Sequence, residues 1–226
     1  MVSNEFGILI QGKVSSWTND IVNEYKKNFP DAEIVFSAWK DEDVGGINCK
    51  VVQSEKPSPT YPHSSNINFQ IIGCREGLKI MNSKIVLKCR ADIFIHNKNI
   101  FNIFKEDCPP EKIMADNWCT LPYDYRVSDF CLLGRKKVLD EFWNKMPLYD
   151  GSYPVPPESY FGKMYVTKIK NDNRLWKEIL NDYFYVRDYH LDFQIEWEKI
   201  STEESWREFQ YSHLDRLTGN IFGTGI

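Results

Sequence analysis

Short apolar runs alternate with helical patterns over the first hundred residues, and this alternation limits the fold more than any other feature. The apolar runs have the length of buried strands, and the first of them, Gly7–Gly12, ends in a glycine turn. The stretches between them repeat apolar side chains at helical spacing. The order β-α-β-β-α-β predicts an α/β fold with a mixed, mostly parallel central sheet flanked by helices. The predicted strands are 7–12, 33–38, 49–53 and 84–92, and the predicted helices are 18–29 and 66–81.

The second half of the chain is less regular, and residues 174–200 show a mixed pattern that fixes no element boundaries. The sequence contains no internal repeat and no low-complexity segment. At this length we expect one Rossmann-type domain over residues 1–226. The remaining predicted elements are strands at 112–116 and 129–133, helices at 134–145, from about 158 and at 203–216, and a loose tail at 218–226.

The composition is that of a globular protein and excludes a collagen-like fibre, a coiled coil and a disordered chain. Hydrophobic residues make up 42% of the sequence and charged residues 27%. Lys and Arg together number 28 against 32 for Asp and Glu, so the net charge is -4. Proteins that bind nucleic acid carry an excess of positive charge, which this sequence lacks, and we therefore expect no nucleic-acid partner.

No apolar run reaches the roughly 18–20 residues that cross a bilayer, so no transmembrane segment is predicted. The first residues lack a basic stretch followed by a long apolar one, and we expect a cytoplasmic protein. The six cysteines form no Cys-x-x-Cys pair and have no His at zinc-ligand spacing, which predicts reduced thiols. The four histidines form no metal-binding motif, although His190 and His213 are candidates for a late metal ligand.

The polar end of the strand 84–92 is the most informative stretch for chemistry. Side chains alternate along a strand, so Lys88, Arg90 and Asp92 share one face. Two cations and a carboxylate at a strand end suit a diphosphate, and the carboxylate is available to a divalent metal. The alternative is a solvated sheet edge with a local salt bridge. Ligands of open α/β sheets bind beyond the carboxyl ends of the strands, where Gln11 and Trp39 also lie.

Three further polar groups accompany this strand end. Asn66 and Asn68 lie at a predicted helix start, where free backbone N–H groups attract an anion, although helix capping by Ser65 or Asn66 is the alternative. Asp129 begins an apolar strand and is placed to project into a cleft. Glu158 lies at another helix start, where the helix dipole favours the ionised carboxylate that a general base needs. The alternative for Glu158 is a helix-start residue without a chemical role.

These pieces together resemble the WavE family of lipopolysaccharide-synthesis proteins, which look like small GT-A glycosyltransferases. The Lys-x-Arg-x-Asp strand end is the most specific part of the likeness, and the Gln11-Gly12 turn alone is weak. The likeness spans residues 6 to about 165. The segments that carry it are Ile8–Gly12 with Trp17-Thr18, Asn66–Leu78 with Gln70 and Gly77, Ile85–Asp92, and Ser128-Asp129 with Gly134.

The resemblance implies that a GT-A fold binds its donor diphosphate, often with a metal, at an Asp-x-Asp motif. Here that position reads Arg90-Ala91-Asp92, so only the second acid is present. Either Asp92 holds Mn²⁺ or Mg²⁺, or Arg90 neutralises the diphosphate itself. The resemblance makes Glu158 the base that accepts the acceptor's proton, with Asp129 as the alternative. The implied donor-binding residues are Gln11, Gly12, Asn66, Asn68, Gln70, Lys88, Arg90 and Asp92.

The resemblance therefore predicts sugar transfer from a nucleotide-sugar donor, with a UDP-linked one favoured, to a saccharide or lipid-linked saccharide in bacterial surface-polysaccharide synthesis. Residues 1–105 would bind the donor and residues 106–226 the acceptor, in the cytoplasm or at the inner membrane face. The alternatives are a non-catalytic nucleotide- or carbohydrate-binding module and, less favoured, a nucleotidyltransferase, because residues 11–17 contain only one Gly and one Lys. The candidate sugar-stacking aromatics, of which we expect at most two to serve, are Trp39, Trp118, Tyr123, Tyr153 and Tyr160.

Overall fold

The computed structural model describes residues 4–202 and Glu204, and these residues form one large sheet with helices on both faces. The strands are β1 (Phe6–Gln11), β2 (Glu33–Trp39), β3 (Lys50–Ser54), β4 (Ile85–Arg90), β5 (Ile93–Ile95), β6 (Ile113–Asp116), β7 (Cys131–Arg135), β8 (Phe184–Arg187) and β9 (Ile195–Trp197). The helices are α1 (Thr18–Asn28), α2 (Ile67–Ile80), α3 (Ile100–Asp107), α4 (Lys136–Lys145), α5 (Pro157–Met164), α6 (Trp176–Tyr183) and α7 (Glu198–Thr202), with π-helical turns at Tyr165–Ile169 and Tyr189–Phe193.

The large sheet has seven strands in the order β3-β2-β1-β4-β7-β6-β8. Strand β1 lies between β2 and β4 and is parallel to both, and β2 is parallel to β3. Strand β7 is antiparallel to β4 and β6, and β6 is parallel to β8. The predicted α/β fold with a mixed, mostly parallel sheet is confirmed. A separate pair of strands, β5 and β9, brings the segment around residue 197 back to the carboxyl end of β4.

Two apolar layers, one on each face of the sheet, form the core. One contains Ile8, Ile10 and Leu87 with side chains of α1 and α3, and the other contains Leu9 and Val86 with side chains of α2 and α4. This arrangement follows from the two-residue period of a strand, which sends successive side chains to opposite faces. The three cysteines predicted to lie in apolar runs, Cys74, Cys89 and Cys131, are buried in these layers.

Helix α2 approaches β1 more closely than a larger side chain would permit. A Cβ atom at Gly77 would lie 2.2 Å from Leu9 Cδ1, and one at Gly73 would lie 2.7 Å from Gln11 Cγ. Leu9 is fully buried and has no room to withdraw. The two glycines therefore place the first turn of α2 against the carboxyl end of β1, where the polar strand ends meet.

We expect Gly77→Ala to destabilise the protein by about 1–3 kcal/mol, because the added methyl group overpacks a buried contact with Leu9. Urea unfolding measures this loss. Gly46→Ala is the matched control, since a Cβ there would lie 3.4 Å from its nearest neighbour, Asn19 Nδ2. A Gly77→Ala protein as stable as the wild type would show that α2 shifts without cost.

The structure corrects two predicted boundaries in the second half. Asp129 precedes β7 rather than beginning it, because β7 pairs with β4 only from Cys131 onward. Gly134 lies within β7 opposite Val86, and the following helix begins at Lys136. The unassigned stretch 174–200 contains α6, β8, a π-helical turn and β9. The predicted helix 203–216, apart from Glu204, the tail 218–226 and His213 lie outside the described residues.

Across the described part of the chain, no helix has the length and apolar character required to cross a membrane.

Candidate functional site

A cavity of about 470 Å³ opens at the carboxyl ends of β1, β2 and β4. This is the edge where open parallel sheets bind their ligands. Six of the eight predicted donor-binding residues line it: Gln11, Gly12, Asn66, Gln70, Arg90 and Asp92. The other lining residues are Lys13, Val14, Ser15, Trp39, Glu42, Lys56, Phe69, Ala91 and Glu198.

Arg90 and Asp92 form an ion pair at one end of this cavity. Arg90 Nε donates to Asp92 Oδ1 at 3.0 Å, and Arg90 Nη2 donates to Asp92 Oδ2 at 2.8 Å. The ring centres of Phe130 and Trp197 lie 5.1 and 5.5 Å from the guanidinium carbon. Each side chain of the pair keeps 20% of its surface exposed. The fork geometry and the two rings fix the orientation of the cation.

Asp92 remains ionised in this setting. Burial acts to raise its pKa, but the charge and hydrogen bonds of Arg90 and a bond from Trp197 bring the pKa below its ordinary value. The Trp197 indole Nε1 donates to Asp92 Oδ2 at 2.9 Å. The predicted local salt bridge is therefore present, and it lies on the cavity wall rather than at a fully solvated edge.

Lys88 lies two residues before Arg90 on the same face of β4 and is fully buried. Its Nζ donates to the backbone oxygen of Asp129 at 2.6 Å and to Gln70 Oε1 at 3.2 Å. Gln70 Nε2 in turn donates to Asp129 Oδ2. Lys88 is not among the cavity-lining residues, so direct contact with a donor does not fit its position. It holds Asp129 and Gln70 in place instead.

Asn68 is also internal. Its Nδ2 donates to the backbone oxygen of Tyr149, and its Oδ1 accepts from the Tyr149 amide, both at 2.8 Å. Direct donor contact does not fit this residue either, because both ends of its amide are occupied. Ser65 Oγ accepts from the Ile67 amide at 3.3 Å and performs the capping role that was the alternative. Asn66 makes no side-chain cap bond and lines the cavity.

The two candidate bases have different environments. Asp129 is buried, and among the described residues its Oδ1 has no hydrogen-bond partner and lies 4.0 Å from Arg90 Nη1. Glu158 is half-buried in the first turn of α5. Burial and the charge of Asp129 raise the pKa of Glu158 to about 7. Desolvation and Asp129 therefore oppose the ionised form of Glu158 that the helix start favours, and the carboxyl is only partly ionised near neutral pH.

Asp116, which the sequence reasoning missed, is a third acid in this region. It ends β6 and is fully buried, and its Oδ1 accepts from the Trp118 amide at 3.0 Å. Burial raises its pKa to about 7, and Asp129 contributes to the shift. A polar residue directly after an apolar strand is the signal that singled out Asp92, and the same signal is present at Asp116.

Two acids of the cavity wall, Glu42 and Glu198, were also missed, as was Trp197, which donates a hydrogen bond to Asp92. Each comes from a segment without a clear motif. Glu42 follows β2; its Oε2 accepts from the Val14 amide at 3.3 Å, while its buried Oε1 has no partner among the described residues. Trp197 and Glu198 arrive through the β5–β9 pairing. The Glu198 amide donates to the backbone oxygen of Asp92 at 3.0 Å, so the contact joins segments about a hundred residues apart.

The donor set around Asp92 does not fit a divalent metal as it stands. The residues from 4 to 202 and Glu204 contain no group of three or more His, Cys, Asp or Glu side chains able to hold one, and His190 belongs to none. Both oxygens of Asp92 are occupied by Arg90 and Trp197. A divalent ion at Asp92 would have to displace these donors and would also lie beside the positive charge of Arg90.

The candidate aromatics divide into core and surface. Trp118 and Tyr160 are buried, so they are not available to stack on a sugar. Trp39 is buried on one side, lines the cavity and meets Phe69 edge-to-face at 5.3 Å. The remaining two candidates, Tyr123 and Tyr153, are 49% and 39% exposed.

The sequence matches the family model for WavE lipopolysaccharide synthesis over residues 8–225. The chain belongs to the WavE lipopolysaccharide synthesis family. The resemblance identified from the motifs is therefore confirmed. No curated protein matches this WavE-family chain.

Several solved structures are similar in fold to this WavE-family chain. S. aureus TarS, residues 1–349, superposes with a TM-score of 0.50 at 14% identity, over 81% of this chain and 58% of that one. The glycosyltransferase GlyE of Streptococcus pneumoniae TIGR4 has a TM-score of 0.48 at 11% identity, and the match covers 95% of this chain and 51% of that one. The 4-diphosphocytidyl-2C-methyl-D-erythritol synthase of Anaerococcus prevotii has a TM-score of 0.48 at 11% identity, and the match covers 93% of this chain and 96% of that one. The chain thus spans little more than half the length of the first two.

The likeness to TarS shows the fold and nothing further. The GT-A-like architecture expected from the sequence is confirmed. The roles of the individual site residues stay predictions.

Proposed function

We propose that the protein is a glycosyltransferase that moves a sugar from a nucleotide-diphosphate sugar to an acceptor hydroxyl in bacterial surface-polysaccharide synthesis. The observation that carries this proposal is the position of Arg90. Its guanidinium lines the cavity, and the carboxylates of Asp129 and Glu158 lie close enough to act on its charge. A fixed cation suits a leaving diphosphate, and a neighbouring acid with a pKa near 7 suits proton transfer. Family membership and fold support the same class of activity.

The donor would lie along the cavity from Arg90 to Trp39. The diphosphate would face Arg90, and the nucleobase would lie beside Trp39 and Phe69 at the other end of the cavity. Glu42 Oε1, which has no partner among the described residues, lies at that end and can accept a hydrogen bond from the ring N–H of a nucleobase such as uracil. Guanine also carries a ring N–H and cytosine does not, so this acceptor suits a UDP- or GDP-linked donor over a cytidine-linked one; of the two we propose the UDP-linked donor.

Glu158 is the preferred base. In the proposed step the acceptor oxygen forms a bond to the sugar carbon while the bond from that carbon to the diphosphate oxygen breaks. The hydroxyl proton passes to the Glu158 carboxylate, and the electron pair of the broken bond leaves with the diphosphate. Asp129 is the weaker candidate, since it is buried and hydrogen-bonded to Gln70.

The two halves of the domain would divide the substrates. Residues 1–105 supply most of the cavity, and residues 106–226 contribute Asp129 and Glu158 on what would be the acceptor side. Tyr123 and Tyr153 are exposed in this second half and would stack on a saccharide or lipid-linked saccharide. We place the reaction in the cytoplasm or at the inner membrane face, where such acceptors are built.

Calorimetric titration with UDP, GDP, CDP and CMP tests the donor proposal. We expect UDP to bind most tightly, and Glu42→Gln to weaken UDP binding by about 10-fold, because the loss of a charged acceptor weakens a hydrogen bond. Asp43→Gln, at the exposed neighbouring acid, is the control. Nucleotide binding without release of nucleoside diphosphate from any nucleotide sugar would favour a binding module, and the absence of any nucleotide binding would reject the proposal.

A further inference from the structure

We infer that the Arg90–Asp92 pair takes the place of a divalent metal, so that the protein binds the donor's diphosphate through Arg90 without a metal ion. This inference rests on the proposed function and concerns how the same cavity receives its donor. It follows from the hydrogen bonds of Asp92, the arrangement of Arg90 and the remaining charges of the cavity wall.

Asp92 is occupied by protein donors. Two of its hydrogen bonds come from Arg90 and one from the Trp197 indole, at distances of 2.8 to 3.0 Å, and they engage both carboxylate oxygens. A metal at this carboxylate would have to displace Arg90 and would then remain beside its positive charge. A second acid on the cavity wall, Glu198, accepts a hydrogen bond from Ser16 Oγ at 2.8 Å. In the part of the chain that the structure describes, no three acidic, histidine or cysteine side chains converge on a common ion.

Arg90 has the features of a fixed anion-binding cation. Nε and Nη2 are bound to Asp92, which leaves Nη1 as the third arm of the fork; the Asp129 oxygen 4.0 Å away is too distant for a hydrogen bond to it. The rings of Phe130 and Trp197 flank the guanidinium and limit its motion. An arginine held in one orientation binds phosphate oxygens with little reorganisation.

The rest of the cavity wall supplies further positive charge. Lys13 follows the Gly12 turn and is exposed on this wall, and Lys56 lies on the same wall in an exposed ion pair with Asp41. Together with Arg90 they give three protein cations around one cavity, whose wall also contains the three acids Glu42, Asp92 and Glu198. A diphosphate can thus meet cations of the protein itself where a metal would otherwise be required.

The test is calorimetric titration of UDP into the full chain, once in EDTA and once with Mn²⁺. We expect the two Kd values to agree, and Arg90→Gln to weaken UDP binding by about 10- to 100-fold in both buffers, the value of a charge-assisted contact. Uridine binding should not change in this variant, because uridine lacks the phosphates. Lys98→Gln, at an exposed lysine away from the cavity, is the control. Circular dichroism melting confirms that each variant folds.

A second measurement does not depend on the Arg90 variant. Mn²⁺ alone is titrated into wild type and Asp92→Asn and followed by electron paramagnetic resonance, and we expect no difference between the two. UDP binding that requires Mn²⁺, or Mn²⁺ binding that Asp92→Asn abolishes, would overturn the metal-free inference and leave the proposed function in place. Failure of UDP, and of GDP in parallel, to bind in either buffer would overturn the proposed function and this inference with it.

Discussion

Glu158→Gln is expected to lower kcat by about 10²- to 10⁴-fold, the usual contribution of a general base. Glutamine keeps the size of the side chain but cannot accept the acceptor's proton. Donor affinity should not change, since Glu158 is not among the residues that line the donor cavity. The measurement is release of nucleoside diphosphate from the nucleotide sugar under saturating donor, with calorimetry for the affinity. Glu111→Gln, at an exposed acid before β6, is the matched control.

The pH dependence provides an independent check on the same residue. The pKa of Glu158 is raised to about 7, so the carboxylate that acts as the base is depleted as the pH falls through that value. Wild-type kcat/KM should therefore decrease from pH 8 to pH 6, with an apparent pKa near 7, because kcat/KM reports the pKa of the free enzyme. Glu158→Gln should lose this limb of the profile. Full turnover in the variant would exclude Glu158 and transfer the role to Asp129.

Lys88→Met is expected to destabilise the protein by about 3–5 kcal/mol, the cost of removing one partner from a buried charged network. Methionine preserves most of the volume, so the loss reports the charge and hydrogen bonds rather than a cavity. The Asp129 backbone oxygen and Gln70 Oε1 would lose their donor, and the only cation contact left to the buried Asp129 carboxylate among the described residues would be the distant one with Arg90 Nη1 at 4.0 Å. Urea unfolding measures the change.

Two further variants test the Lys88 prediction. Lys79→Met, at an exposed lysine of α2, should change the free energy of unfolding by less than about 0.5 kcal/mol. Lys88→Met combined with Asp129→Asn should recover part of the loss, because the double variant no longer buries an unpaired charge. If Lys88→Met alone proved as stable as wild type, the network would contribute nothing to stability.

The first half of the fold was predictable because its signals are local. Strands β1, β2 and β4 are apolar runs, and the helices between the strands have a helical repeat. The chain order then places the strand ends at one edge. Arg90 and Asp92 were found for this reason. Alternation alone also placed Lys88 beside them, but it does not show that α2 and β7 cover that part of the strand.

The second half could not be placed because its strands are short and their partners are distant in sequence. Strand β9 has three residues and pairs with β5, about a hundred residues earlier. The bond from Trp197 to Asp92 is therefore invisible to any local pattern. The raised pKa of Glu158 likewise depends on the proximity of Asp129, which follows from the packing of α5 and not from its helix start.

The β5–β9 pairing also has a consequence for the order in which the protein becomes competent during synthesis. Residues 11–92 leave the ribosome before the second half of the chain and contain every cavity-lining residue except Glu198. The indole that flanks Arg90 and the amide that binds the Asp92 backbone belong to residues 197 and 198. A nascent chain that ends before them has the sheet without a finished binding pocket. If the cavity binds the proposed donor, a complete binding pocket would thus require that nearly two hundred residues have been translated.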